Sequence, residues 1–242
     1  MLNQERYNDI KAASAFIDGE AVFATYASAQ ETVEGIFQPS GADYIIHVLG
    51  DQMRKNYLDA FSAKNFKYAV TIRPDFTCWE YWVRRANWFF YRELFRNWHK
   101  VFENSYAAYW ERNLPGSQNV VSGDFDVEII DVDASTKKLC IRTDKISSGT
   151  ADVFLDWTVE KKDTIRARLL ARTLLSVQDP TESDKDIAWF KSNYLRSQSR
   201  EYIPVTISEG YGEVLLTSKP ERDTYLKINS VSCKAVYTIP LN

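Results

Sequence analysis

The stretch from Thr77 to Arg112 sets the tightest limit on what this chain can fold into. Five of the seven tryptophans lie in it, at positions 79, 82, 88, 98 and 110. Each ring brings on the order of 150–250 Å² of surface that has to be enclosed. Its spacing predicts one long helix. Thr77 and Glu80 stand as a T-x-x-E capping box, with Phe76 and Tyr81 where a hydrophobic staple would close. Pro74 ends the preceding strand, and Asn113-Leu114-Pro115-Gly116 is a stop. Such a helix would run about 50 Å at 1.5 Å per residue, long enough that a break near Asn104-Ser105 is the natural alternative. Tyr81, Trp88, Tyr91, Phe95, Trp98, Phe102, Tyr106 and Tyr109 recur at steps of three, four or seven, so Trp88 and Trp98 are expected in the core.

The same helix would carry a basic ridge, Arg85, Arg92, Arg96 and Lys100. Such a ridge is either a solvated face whose stems cover apolar surface or a contact surface. Its partner would then be acidic, such as the Asp124–Asp133 segment of another copy, or a phosphate backbone.

A length of 242 residues allows one large domain or two small ones. The net charge of −3 and pI near 5.6 argue against a dedicated nucleic-acid binder and leave nucleic acid as the weaker partner class. Cys78, Cys140 and Cys233 are far apart and form no C-x-x-C, so they read as free buried thiols in a reducing compartment. The N-terminus has charges where a signal peptide needs an apolar core. No apolar run approaches the ~18 residues that span a bilayer. These features point to a cytoplasmic protein, or a virion component if the source is a phage, with no membrane partner.

Along the chain, residues 4–17 read as a helix, and Ser28 and Glu31 open another that ends before Pro39. Tyr44 to Leu49 reads as a buried strand. Asp51 starts a helix carrying Met53, Tyr57 and Phe61. Phe66 to Ile72 alternates as a half-exposed strand. After Gly116 the period becomes two: Phe125, Val127 and Ile129, a hairpin loop at 133–137, Leu139 to Thr143, then Val153, Leu155, Trp157 and Val159. Two helices are predicted next, Ile165 to Val177 and one opening at Ser183. Tyr202 to Ile207 contains Pro204 and reads as an edge strand. Val214 to Thr217 is another strand. Tyr225 to Ile239 changes parity near Asn229-Ser230, where a β-bulge is expected. The fold class is therefore α+β: a long aromatic-rich central helix on a mainly antiparallel β-sheet, with additional short helices. The helix-rich half is 1–115 and the β-rich half, with an inserted helical pair, is 116–242, the two sharing one core.

Chemistry is sparse. Asp131-Val132-Asp133 at a strand end is the one D-x-D pattern that could hold Mg²⁺ or Mn²⁺, against a hairpin tip that happens to hold aspartates. His47 and His99 have no sequence-adjacent partner for general-base work and read as structural. Cys78, on the first turn of the predicted helix, reads as a buried structural thiol. Ser208-Glu209-Gly210 is no nucleophile elbow, and Gly210-Tyr211-Gly212 lacks the spacing of a dinucleotide fingerprint. No cofactor is implied. By elimination the expectation is a non-enzymatic structural subunit of a larger assembly, such as a bacteriophage neck, collar or tail component. Its partners would be copies of itself or other subunits. The alternatives are a binding module for an anionic partner through the basic ridge, and an enzyme with a divalent metal at Asp131 and Asp133.

Overall fold

The computed structural model describes residues 3–35, 41–63, 66–114, 117, 119–169, 172–180 and 192–241. The chain divides into two compact units. The first is Met1–Val83 with Phe89–Asn119, and the second is Arg84–Trp88 with Val120–Asn242.

The first unit is a three-layer sandwich. Its elements are α1 (Gln4–Ile17), β1 (Val22–Ala24), α2 (Ala27–Glu34), α3 (Gly50–Ala63), β2 (Tyr68–Ile72), the start of α4 (Glu80–Ala86), α5 (Trp88–Asn97) from Phe89 on, β3 (Trp98–Glu103) and β4 (Ala107–Arg112). The sheet order is β1-β2-β4-β3. β1 runs parallel to β2, and the other pairs are antiparallel. Val22, Ala24, Tyr68, Val70 and Ile72 pack with Ile10, Ala13 and Ile17 of α1. From the opposite side Phe23 meets Tyr57 and Phe61 of α3 and Phe90 of α5, with ring centroids 4.8–6.0 Å apart. β2 is therefore buried at all five positions. The half-exposed strand expected there is corrected: its alternation separates two buried faces, not core from solvent.

The single long helix is not formed. Residues 80–97 make two short helices, and 98–112 make the β3–β4 hairpin. The helical run is interrupted at Asn87 and ends at Asn97, not near Asn104-Ser105, where the chain turns from β3 to β4: Asn104 Oδ1 accepts from the amides of Tyr106 and Ala107 at 3.0 and 2.8 Å. That turn competes with helix continuation, and the aromatic and β-branched residues on either side suit a pleated surface. Trp88 and Trp98 are buried, as their spacing indicated. Tyr44 to Leu49 is no strand either: a single bridge joins Tyr44 to Tyr26, and Ile45–His47 is one turn of 3₁₀ helix.

The second unit is a closed six-strand barrel. Its strands are β5 (Val120–Asp131), β6 (Thr136–Arg142), β7 (Ser148–Lys161), β10 (Gln198–Ser208), β11 (Tyr211–Lys219) and β12 (Thr224–Tyr237). They neighbour one another in the order β5-β6-β11-β10-β7-β12 and back to β5. The short strands β8 (Leu174–Gln178) and β9 (Ser192–Leu195) extend from β11 where β10 leaves it. Val153, Leu155 and Trp157 of β7 meet Ile203, Val205, Leu216 and Val236 in the interior. A barrel this narrow is filled by its own side chains. β10 pairs with β7 along its whole length but with β11 only at Ser208–Tyr211, so Pro204 sits on the seam strand. The expected bulge lies between Ile228 and Ser230, and a second lies between Cys233 and Ala235. Of the predicted helical pair, Ile165–Leu169 forms α6, whereas Leu174–Gln178 is strand β8. The helix opening at Ser183 lies outside the described residues.

Arg84–Trp88 is the second unit's one piece from the middle of the first. Arg84 Nη1 donates to Leu241 O at 2.9 Å, Arg85 pairs with buried Asp179 at 3.1 Å, and Trp88 Nε1 donates to buried Asp152 at 2.9 Å. No described helix is long and apolar enough to cross a membrane.

Candidate functional site

A cavity of about 290 Å³ opens in the first unit, lined by Arg6, Tyr26, Asp43, Tyr44, His47, Ile72, Phe76, Thr77, Trp79, Glu80 and Tyr106. Its place follows from topology. β1 and β2 are parallel, so their carboxyl ends lie side by side, and Tyr26 and Phe76 come from the segments that follow them. β4 runs the other way with Ala107 opposite Ile72, which brings Tyr106 to the same edge. Crevices outside the carboxyl ends of parallel strands are where ligands settle in α/β sheets.

Five aromatic rings line the cavity: Tyr26, Tyr44, Phe76, Trp79 and Tyr106. Tyr26 packs on Tyr44 at 5.3 Å between centroids, and Phe76 on Tyr106 at 5.1 Å. Trp79 is 45 % exposed. The Arg6 guanidinium lies 4.5 Å from the Phe76 ring centre and 5.6 Å from that of Tyr106. Asp43 is committed to the start of α2, accepting from the amide of Ser28 through Oδ1 and from that of Ala27 through its carbonyl.

Glu80 is buried, and its carboxylate accepts a hydrogen bond from the Tyr44 hydroxyl. Burial first, then the Glu80 charge, pushes the Tyr44 phenol above the ordinary tyrosine range. The Tyr106 phenol is also pushed up, chiefly by burial. Arg6 pulls it the other way, and Tyr26 and Glu80 add to the rise. Both phenols are therefore neutral at physiological pH. The Tyr106 hydroxyl has no hydrogen-bond partner, and neither has the Thr77 hydroxyl. Thr77 does not cap α4 with its side chain; only its carbonyl accepts, from the Glu80 amide at 3.2 Å. The T-x-x-E pair that reads as a capping box supplies two polar groups to the cavity wall.

The residues singled out from sequence do not gather here. Arg85 is buried and paired with Asp179 in the second unit. Arg92 and Arg96 are half-buried on α5, and Lys100 is on β3, paired with Glu103 at 2.6 Å. A continuous helical ridge through these four is thus corrected, because it required one helix from 85 to 100. Asp131 ends β5 and pairs with Lys137 at 2.9 Å. Asp133 Oδ1 accepts from the amides of Ser135 and Thr136 and from the Ser135 hydroxyl, and these bonds hold its carboxyl below the usual range. Both aspartates serve the β5–β6 hairpin. Among the described residues no group of three His, Cys, Asp or Glu side chains could hold a metal ion. His99 Nδ1 lies 2.8 Å from Asn113 Oδ1, whereas His47 lines the cavity. Cys140 and Cys233 are buried, and burial pushes the Cys233 thiol up to about 11. Cys78 is exposed, contrary to expectation, because it precedes α4 instead of lying inside a long helix. Gly210 lies in the β10–β11 turn. Its φ is +75°, and a Cβ there would meet Thr143 O at 2.4 Å, so a geometric need of the barrel accounts for that glycine.

No family model matches the chain, and no curated protein matches it in sequence.

Proposed function

We propose that the first unit is a small-molecule-binding module whose ligand enters the cavity at the carboxyl ends of β1 and β2. The observation that carries this is a crevice at the carboxyl ends of a parallel strand pair, with Trp79, 45 % exposed, in its wall. The aromatic wall and the volume, near the lower end of ligand pockets, support the same reading. The test is a thermal-shift screen of compact anionic, neutral and cationic compounds on the full chain. A ligand at about 100 times its Kd stabilises the folded state by ~2.7 kcal/mol. At least one class is expected to raise Tm in the native chain and to lose that effect in Trp79→Ala. A flat response across all classes counts against the module.

A second reading, a subunit of a larger assembly with copies of itself or other subunits as partners, is favoured by one feature. Ile165 and Leu169 lie one turn apart on α6 and are 80 % and 81 % exposed. An apolar pair presented this way suits a protein contact. Native mass measurement of the chain and of the Ile165→Ser/Leu169→Ser double variant tests it. Loss of an oligomer in the variant is the expected result, and a monomer in both removes the reading. A phage neck, collar or tail component remains one form that this reading takes.

A further inference from the structure

Five strand ends meet at one rim of the barrel. β5 ends there at Asp131, opposite Lys137 of β6. β11 ends there at Lys219, and β12 begins with Thr224 opposite Lys161 of β7. The β5–β6 tip folds across this rim: Ser135 O accepts from the Ser218 amide at 2.8 Å and Ala134 O from the Leu226 amide at 3.0 Å. α6 follows β7 at the same rim, and Arg166 Nε lies 3.1 Å from the Asp223 carboxylate, next to Thr224. Two exposed patches, α6 and the tip, therefore share one end of the second unit. We propose that this end is self-complementary: two copies of the chain pair across a two-fold axis, α6 of each seated on the Asp131-Val132-Asp133 tip of the other. This proposal rests on the reading of the chain as a subunit of an assembly.

The two patches match in chemistry. A helix turns about 100° per residue. On α6 this puts Ile165 and Leu169 on one exposed ridge, buried Ala167 opposite, and Arg166 and Arg168 on the two flanks. On the tip, Val132 is 56 % exposed and stands between Asp131 and Asp133, both exposed. Each patch is thus an apolar centre with one sign of charge on both sides, and the signs are opposite. The surrounding sequence extends the match. Residues 160–172 hold five Lys and Arg against Glu160 and Asp163, a net +3, whereas residues 124–134 hold five acids and no cation, a net −5. Arg168 already pairs with Asp163, and Asp131 with Lys137. Pairs on so exposed a surface contribute little, so exchanging them for partners on another copy costs little. A two-fold axis makes every contact twice. The acidic tip also decides against other occupants of α6. An anionic bilayer or a nucleic acid facing this rim would meet the negative charge of the tip as well.

The experiment is sedimentation velocity of the full chain over a concentration series, with circular dichroism to check that each variant is folded. The native chain is expected to dimerise. Ile165→Ser/Leu169→Ser is expected to raise the dissociation constant about a hundredfold or more, and Val132→Ser about tenfold, since each lost apolar contact counts twice. Arg168→Glu and Asp131→Lys, made in separate chains, are each expected to dimerise about tenfold more weakly than the native chain. Mixed in equal amounts they are expected to recover the dimer, because one of its two contacts is then native and the other is native with its charges exchanged. Should a charge variant not fold, Val132→Ser decides alone. A native dimer that Ile165→Ser/Leu169→Ser breaks but Val132→Ser leaves intact overturns the tip as the seat of α6, and so does a mixture of folded charge variants that fails to recover. Either result leaves the assembly reading in place. A ring or chain of more than two copies overturns the two-fold pairing in favour of a head-to-tail contact. A native chain that stays monomeric at every concentration overturns the proposal and the assembly reading together. Co-sedimentation of that monomer with phosphatidylserine vesicles, lost in Ile165→Ser/Leu169→Ser, would give α6 to a lipid surface instead.

Discussion

The two units enclose their cores with different materials. The first uses large rings: Phe23, Tyr57, Phe61, Phe90 and Trp98 meet at mixed angles around β1 and β2. The second fills a barrel chiefly with Val, Leu and Ile from alternate positions, with Phe125 and Trp157 among them. Small branched side chains on a regular strand period interdigitate well. Rings presented by short helices and loops fit less regularly, and at the sheet edge they leave a cavity. The contrast teaches where each unit puts its free energy. The barrel puts it into stability, and the first unit holds some back at the unmatched hydroxyls of Tyr106 and Thr77.

The sharpest way to break the contrast is to open the barrel core. Trp157→Ala removes a fully buried ring and the Nε1 bond to Arg196 O, and is expected to cost about 3–5 kcal/mol, read from denaturant unfolding. A loss below about 1 kcal/mol would mean that the barrel interior is not closely packed. Next comes Asp179→Ala, which leaves the buried Arg85 charge without this carboxylate and is expected to cost on the order of 3 kcal/mol. A neutral result would take Arg85 out of the core. Tyr106→Phe has the opposite sign. It removes an unmatched buried hydroxyl and is expected to stabilise the ligand-free chain by about 1 kcal/mol. Destabilisation there would show that the hydroxyl has a partner. The smallest effect concerns pH. Hydrogen bonds from Tyr211 and Lys138 hold the Glu213 carboxyl below the usual range. A depressed folded-state value means the contribution is present at neutral pH and is lost as pH falls through the carboxylate range. Glu213→Gln is therefore expected to flatten the acid limb of the Tm-against-pH curve slightly, and an unchanged limb would remove this group from the barrel's pH dependence.

Alkylation compares the units in another way. Cys78 is expected to react with iodoacetamide in the native chain, whereas Cys140 and Cys233 wait for unfolding. The raised Cys233 thiol keeps its reactive thiolate scarce even when reagent reaches it. Native-state labelling of Cys233 at the rate of Cys78 would indicate an open barrel.

Much of the barrel was legible because a period of two survives closure. Val153, Leu155 and Trp157 point inward whether the sheet is flat or curled, and the parity change near Asn229 marked its bulge. Closure itself is set by pairings between strands far apart in sequence, such as β12 with β5, and no local pattern encodes them. The first unit was harder. Trp98, Phe102 and Tyr109 fit a helical stripe by spacing, but tertiary pairing with β2 made strands of their segments. The cavity went unread because Thr77 and Glu80 already had a local explanation as a cap. Its other contributors, Arg6, Tyr26, Tyr44 and Tyr106, are scattered over a hundred positions and meet only at the end of the sheet. A buried acid sitting amid Trp79, Tyr81 and Trp82 was the one available hint.

Because Arg84–Trp88 belongs to the second unit while the chain on either side of it belongs to the first, neither unit is a continuous stretch of coding sequence. A segment beginning at Val120 would leave behind the indole that Asp152 accepts from, the guanidinium that faces Asp179, and the donor to the carbonyl of Leu241. Recombination that shuffles domains moves contiguous pieces, so a piece that carries the barrel whole must start at or before Arg84 and takes α5 and the β3–β4 hairpin with it. The barrel cannot be inherited whole without a share of the first unit, including two of the four strands of its sheet.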